Sequence, residues 1–469
     1  MSARHLARIC EDLPPGCEGF VKKAARPRPD RHRGGMTLFE LLPSVRHGFN
    51  PHLDRAVWPL SAYVDDLGRL CVGDVAADDI AAEYGTPTHM VDEEDFRARI
   101  RCYRATLPDA ELIYGGKALL SVDVARWAAD EGAGVNVSSA AELATALAAD
   151  VPPSRIVLDG AKTATELGDA IAAGVGRIVI DSPSEISLLA CRVRHRQRVL
   201  LRVIPDAGTP DRKFGFALSG GHSALKRVLD QPSLDLVGLH CQLGAHLIDA
   251  SLYGAAIQQM IGVMAQVRDH HQVVLTELNL GGGHAIPYRS GDPELNLRSL
   301  GAAVDAALES ACAEYGFPRP KIAIEPGGAI AARAGVTLCR VTAVKRQPGG
   351  HTFVAVDGGL AGHPGNPGAK YTVALANRHR PTASAPVTVV GRNGNGDEIA
   401  RGVELPADIH PGDLLAVACT GAYQHSTVSG VSLVGRPPLV AVSGGRSREL
   451  VRRETVADLL ARDRGWNGQ

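Results

Sequence analysis

The sequence predicts an α/β protein: a (β/α)8 TIM-type barrel plus a C-terminal β-domain completed by N-terminal strands. Three observations lead there. From about Pro87 to Ala334, short apolar runs alternate with helical patterns. After Ala334 the pattern changes to β-type runs separated by Gly and Pro. The polar residues that close the apolar runs sit at their C-terminal ends, the face where such barrels carry chemistry. A doubly wound open sheet is the competitor, but it calls for a Gly-rich phosphate turn after its first strand, and none is seen there.

Residues 1–35 read as a basic, disordered extension. Arg4, Arg8, Lys22, Lys23, Arg26, Arg28, Arg31 and Arg33 outnumber Glu11, Asp12, Glu18 and Asp30, and the apolar stretch of a signal peptide is missing. A start at Met36 is the alternative, and the acidic residues disfavour a transit peptide. Residues 36–87 supply strands, Trp58 to Val75, that join the β-domain. Residues 88–333 form the barrel. Its runs are Thr88 to Val91, Glu111 to Tyr114, Gly134 to Val137, Ile156 to Asp159, Arg177 to Asp181, Val199 to Ile204, Leu236 to Leu243, Glu277 to Leu280 and Lys321 to Ile324. Helical spacing marks Ser121 to Glu131, Ala140 to Ala149, Ala164 to Ala173, Leu252 to His271 and Leu300 to Tyr315. Residues 334–469 form the β-domain, with runs at Thr352 to Val356, Val387 to Val390, Asp413 to Ala418 and Leu439 to Ser443 and a final helix at Val456 to Arg462.

At 469 residues two domains are the natural division, and 45% hydrophobic content supplies a large core. A formal net charge of -1 gives no reason to expect nucleic acid or an anionic membrane as partner. Nine cysteines without CxxC or metal-type spacing fit a reducing cytoplasm and predict no metal site. No apolar run approaches the ~20 residues that span a bilayer.

Lys117 is the most informative residue. It closes the second run, with Gly115 and Gly116 before it to give room, where a lysine holds an aldehyde cofactor as a Schiff base. His240 with Gln242 closes the seventh run, Gly281-Gly282-Gly283 the eighth and Glu325-Pro326-Gly327-Gly328 the ninth. A Gly triplet lets backbone N–H groups approach a phosphate with no Cβ between. Lysine, glycine cradle and acid thus meet on one rim.

The chain from about Val57 to Asp463 resembles the fold-type III, pyridoxal-phosphate-dependent amino-acid decarboxylases, most closely those acting on diaminopimelate. The resemblance rests on Tyr114-Gly115-Gly116-Lys117-Ala118, Lys213-Phe214-Gly215, Gly238-Leu239-His240-Cys241, Leu278 to Gly283, Glu325-Pro326-Gly327, Val356 to Gly359, Gly396-Asp397, Pro411-Gly412-Asp413, Thr420 to Tyr423 and Arg452 to Thr455. It implies an alanine racemase-like barrel, pyridoxal 5'-phosphate as cofactor, a small-molecule amino acid substrate and a homodimer with shared active sites. Lys117 would carry the cofactor, Glu325 would face its pyridine nitrogen, and His240 would complete the catalytic set. Gln242, Gly244, Gly282, Gly283, Gly327 and Tyr423 would hold the cofactor. Asn393 would stand at the catalytic position of the loop reaching the partner's site, with Arg392, Asn395, Asp397 and Tyr423 on the substrate. Alanine racemases resemble a pattern with arginine at the ring nitrogen, so Glu325 favours decarboxylation.

The chain also departs from that pattern. Asn393-Gly394-Asn395-Gly396-Asp397 stands for Cys-Glu-Ser-Gly-Asp, and an asparagine amide does not donate a proton as an acid at neutral pH. Gly328 replaces an arginine, Gln242 the ring-stacking histidine and Ala245 a phosphate-binding serine, and His363-Pro364-Gly365-Asn366-Pro367 lacks a second arginine. His246, Arg333, His363, Lys370, Arg392 and His425 are candidate replacements, Arg392 foremost, and Cys241 is a candidate relocated acid. The expected function is therefore an amino-acid decarboxylase with altered substrate specificity. An epimerase, a carbon–carbon lyase or a non-catalytic cofactor-binding paralogue are the alternatives.

Overall fold

The computed structural model describes residues 53–209, 213–359, 371–378, 383–392, 397–427 and 431–466. Residues 1–35, His363, Lys370, Asn393 and Asn395 lie outside the described residues.

The described chain opens with a small antiparallel sheet of β1 (Tyr63–Val64), β2 (Leu70–Val72) and β3 (Val75–Ala76), followed by α1 (Ala77–Tyr84) and β4 (Thr88–Asp92). All five residues of β4 are buried. Sequence reading placed this run in the barrel, but β4 lies antiparallel to Gly335–Arg346 and parallel to Leu439–Ser443, inside the β-domain sheet. A short apolar strand buried on both faces reads the same in a barrel and in a sheet, so periodicity alone does not separate them. N-terminal chain does complete the β-domain, but the strand entering its main sheet is β4. The Trp58 to Val75 region forms the separate three-stranded sheet, tied on by Leu70 N–H to Ala376 O at 2.8 Å and by Gly445 N–H to Gly73 O at 2.7 Å.

The barrel follows, as α2 (Glu93–Thr106), β5 (Glu111–Gly115), α3 (Val122–Asp130), β6 (Gly134–Val137), α4 (Ala140–Ala148), β7 (Ile156–Leu158), α5 (Ala164–Ala173), β8 (Arg177–Ile180), α6 (Pro183–Arg192), β9 (Gln197–Ile204), β10 (Phe216–Ala217), α7 (Leu218–Leu229), β11 (Leu234–His240), α8 (Ser251–His271), β12 (Glu277–Asn279), α9 (Leu297–Tyr315), β13 (Lys321–Ile324) and α10 (Gly328–Ala334). Parallel pairing runs β9-β11-β12-β13-β5-β6-β7-β8 and closes β8 onto β9. Caps set the strand-to-helix turns. Asp92, Ser121, Ser139 and Asn296 each accept an N–H of the first helical turn, and Thr163 with Glu166 forms a reciprocal box. Ile113, Val157, Val179, Leu200, Val237 and Ala323 form their own buried cluster, one residue from each of six barrel strands, so the interior is filled.

Charges plug the N-terminal end of the barrel. Arg177 donates to Glu277 at 3.0 Å and to both oxygens of Glu111, while Lys321 reaches Glu111 at 2.7 Å and Arg198 pairs with Glu277. Burial pushes the Glu111 carboxyl up, but hydrogen bonds from Arg177 and Lys321 outweigh it and bring the group from 4.5 down to about 2. Removing one partner of such a buried network strands the others, so Arg177→Met is expected to cost about 3–5 kcal/mol in urea unfolding at neutral pH. Because the folded-state value of Glu111 is depressed, its contribution is complete above about 4.5 and fades as pH falls toward about 2. The gap between wild type and variant should therefore narrow across that window.

The β-domain holds β14 (Gly335–Arg346), β15 (Thr352–Val356), β16 (Val373–Leu375), β17 (Ser384–Val390), β18 (Glu398–Pro406), β19 (Leu414–Ala418), β20 (Leu439–Ser443) and β21 (Arg446–Val451), then α11 (Val456–Leu460). The main path is β18-β17-β15-β14-β4-β20-β21, with β19 between β14 and β16. The first half of β14 pairs with both β4 and β19 and its second half with β15. This strand begins directly at the C-cap of α10, joining barrel to β-domain without a linker.

Candidate active site

The C-terminal ends of the barrel strands open into a cavity of about 810 Å³. Lys117 stands on its rim, in the single turn Gly116–Ala118 that follows β5, and is exposed while both neighbours are buried. The glycines before it have a packing reason beyond giving room. A Cβ on Gly116 would sit 2.8 Å from Asn136 O, and one on Gly115 would meet Gly327 Cα at 3.2 Å. Tyr423 is brought to the same rim by its own N–H, which donates to Ala118 O at 2.8 Å. Its φ of 64° is a conformation a bulky side chain adopts only when its surroundings impose it. Burial raises the Tyr423 phenol against the opposing charge of Lys117, so it stays a hydroxyl donor at neutral pH.

Glu325 lies one residue past β13, buried at the cavity floor. Asn279 Nδ2 donates to its Oε1 at 2.8 Å, and His240 Nε2 stands 3.3 Å from its Oε2. Burial works against the charged form, yet the His240 ring and these hydrogen bonds win and lower the Glu325 carboxyl. The acid is therefore ionised, and it faces a cavity that can take a cationic atom. Buried His240 Nδ1 has no hydrogen-bond partner among the described residues.

The glycine run forms a cradle. Gly282 N–H donates to Gln242 Oε1 at 3.1 Å, Gln242 Nε2 donates to Gly244 O at 2.7 Å, and Tyr253 OH donates to Gly282 O at 3.2 Å. At Gly283, φ is 85° and a Cβ would fall 2.0 Å from Gly244 O, so only glycine fits. Gln242 thus braces the cradle as well as lining the cavity. Gly244, Gly327, Gly328 and Ala245 complete that wall, with His246 beside them.

Several sequence candidates lie elsewhere. Arg392 is exposed in the turn after β17, where its N–H donates to Gly358 O at 3.2 Å, and neither it nor Asp397 borders this chain's cavity. Arg333 is turned away, donating to Ala56 O at 3.2 Å and to Glu294 at 3.1 Å. His425 packs edge-on against His89 rather than lining the cavity. Cys241 is fully buried and burial pushes its thiol to about 12, which removes it as a relocated acid. Sequence reading missed Asn136, Asp159 and Arg202, all on the cavity wall. Asp159 lies one residue beyond β7, the same signal that singled out Lys117, whereas Asn136 and Arg202 lie inside β6 and β9, where a polar residue in an apolar run was the signal to read.

The arrangement suits an aldehyde cofactor carrying a phosphate and a basic ring. A lysine on the rim, a glycine cradle closed to any Cβ and an ionised acid on the floor are all present, and the orphaned His240 Nδ1 leaves polar capacity beside that acid.

Residues 93–332 match the family model described as the pyridoxal binding domain of pyridoxal-dependent decarboxylases. The chain is 45% identical to diaminopimelate decarboxylase of Actinosynnema pretiosum subsp. auranticum over 91% of this chain and 100% of that protein. It is 37% identical to the diaminopimelate decarboxylase of Mycobacterium tuberculosis (strain ATCC 25618 / H37Rv) over 87% of this chain and 98% of that one. Among solved structures, diaminopimelate decarboxylase from M. jannaschii in co-complex with L-lysine superposes with a TM-score of 0.80 at 25% identity, covering 86% of this chain and 98% of that one.

Proposed function

This chain belongs to the pyridoxal-dependent decarboxylases, and on that premise we propose that it converts meso-diaminopimelate to L-lysine and CO2. It is a pyridoxal-phosphate-dependent carboxy-lyase. The observation that carries the substrate reading is the rim lysine over an ionised floor acid, in a chain that spans 100% of a relative named for that reaction.

Lys117 would hold the cofactor's aldehyde carbon, and Gly244, Gly282, Gly283, Gly327 and Tyr423 its phosphate. Gln242 would flank the ring. When bound, the cofactor supplies an electron sink for the pair left on Cα as CO2 departs. Glu325 would keep a proton on the ring nitrogen, because an anion fixed in a dry site stabilises the neighbouring cation without reorganising. The hydroxyl of Tyr423 and the amine of Lys117 bear protons on the rim, and one of them would return a proton to Cα in the role an asparagine at 393 does not fill. Arg392, Asn393, Asn395 and Asp397 would act on substrate held by a second copy, in a homodimer of C2 symmetry, which accounts for Arg392 and Asp397 standing away from their own cavity. No described helix is long and apolar enough to cross a membrane, and the reading places the enzyme in the cytoplasm.

The test is a mass-spectrometric assay of cofactor-loaded protein with meso-diaminopimelate. Lysine is the expected product, lost in Lys117→Ala. Loaded protein that makes no lysine would reject this substrate, and an amino-acid panel would then identify the altered specificity that Gly328 and Asn393 led us to expect.

A further inference from the structure

Resting on the cofactor reading above, this inference concerns what lies behind Glu325. Side chains run outward from it with alternating sign. Glu325 Oε2 is 3.3 Å from His240 Nε2. One side-chain oxygen or nitrogen of Asp159 lies within 4.8 Å of those of both residues. Asp159 Oδ1 stands 3.8 Å from the Arg202 guanidinium, which also reaches Asp181 at 3.9 Å. Lys162, its side chain wholly buried, pairs with Glu185 at 3.1 Å and donates to Val179 O at 2.7 Å, and Glu185 accepts the N–H of Asp181 at 2.9 Å. Asn279 is the neutral member, donating to Glu325.

The charges decide the state of His240. With a neutral ring, four carboxylates (Glu325, Asp159, Asp181 and Glu185) face two cations, Arg202 and Lys162, leaving two negative charges in excess in a buried row. An uncompensated buried charge is expensive. With both ring nitrogens protonated, the excess falls to one, and its place is Glu325, the end open to the cavity. A protonated ring nitrogen delivered there would bring the row to neutrality. His240 Nδ1 and Asp159 Oδ1 are both buried and lack a hydrogen-bond partner among the described residues, so Asp159 acts on the ring through its charge, within 4.8 Å, rather than through a hydrogen bond from Nδ1 to Oδ1. Burial by itself raises Asp159 and Glu325, and in both the largest opposing influence is the His240 ring, which helps bring Asp159 down to about 2.

We propose that Asp159 is a positioning residue for the decarboxylation, acting through His240: it holds the imidazole with both ring protons, and the imidazole keeps Glu325 an ionised partner for the cofactor's ring nitrogen. Asp159 does none of the bond making. It sets the charge of the residue that sets the charge of the acid.

The experiment is ring 15N NMR of histidine-labelled, full-length, cofactor-loaded protein, with the His240 signal assigned by its loss in His240→Gln. At neutral pH the wild-type ring should carry both protons, and in Asp159→Asn it should be neutral. In the same variant kcat should fall by about 10–100-fold, the range for partners acting through a contacting residue, with KM little changed. Asp159→Glu should restore the charged ring. A neutral His240 ring in the wild-type protein overturns the proposal, and that measurement does not depend on an Asp159 variant folding. An Asp159→Asn protein whose His240 ring is still charged overturns it equally. Because the ring is read whether or not lysine forms, a charged His240 in a protein that does not turn over diaminopimelate counts against the proposed substrate alone.

Discussion

Lys117→Ala is expected to abolish lysine formation, with a fall in kcat on the order of 10²–10⁴-fold or more, the loss that follows removal of a positioned reacting group. The same change should leave the fold nearly untouched. The Lys117 side chain is exposed to the cavity and the surrounding packing is carried by Gly115, Gly116 and Ala118, so unfolding free energy should move by no more than about 0.5 kcal/mol. Borohydride treatment followed by peptide mass analysis checks the cause directly. Wild-type protein should retain the cofactor's mass on the peptide containing residue 117, and the variant should not. Turnover surviving in a variant that carries no attached cofactor would remove Lys117 from the reaction.

Glu325→Gln is expected to lower kcat by about 10²–10³-fold, the magnitude for loss of one preorganised electrostatic partner. The shape of the floor is kept and a glutamine oxygen can still accept from Asn279 Nδ2, now 2.8 Å from Oε1, but the amide N–H then takes the place of the oxygen that stands 3.3 Å from His240 Nε2. What is lost is the negative charge that holds a proton on the ring nitrogen. The cofactor's absorption should report this separately from rate: the variant should bind cofactor yet titrate at lower pH than wild type, because the cationic ring has lost its counter-ion. An unchanged kcat with an unchanged titration would mean that Glu325 serves only to brace the floor.

Much of the site was legible in the sequence because its parts end apolar runs. Lys117, Glu325 and Gly281 to Gly283 each follow a barrel strand, and strand ends are where a closed parallel barrel gathers polar groups. Asp159 ends a strand run in the same way and was passed over because a lone aspartate after an apolar run is also an ordinary turn residue; only the approach of β7, β11 and β13 brings it to His240 and Glu325. Arg333 misled in the opposite direction. It shares helix α10 with the cavity-lining Ala329, but its long side chain is drawn to Ala56 O and Glu294, which only the folded chain brings beside it. Strand β4 was misplaced because its partners are fixed by pairing across hundreds of residues, which no local pattern records.

That last pairing bears on how the protein is made. Strand β4 leaves the ribosome early, but one of its edges is filled by β14 and the other by β20, which follows it by about 350 residues. At synthesis rates of about 5–20 residues per second, the second edge stays open for roughly 20–70 s. During that interval the whole barrel emerges and has time to close, since its strands pair mostly with near neighbours in the chain. The β-domain is therefore the last part to assemble, and until then Thr88–Asp92 offers a bare apolar edge to any passing strand. A nascent chain stalled before Leu439 should recruit chaperones through that edge, and one released after Val451 should not.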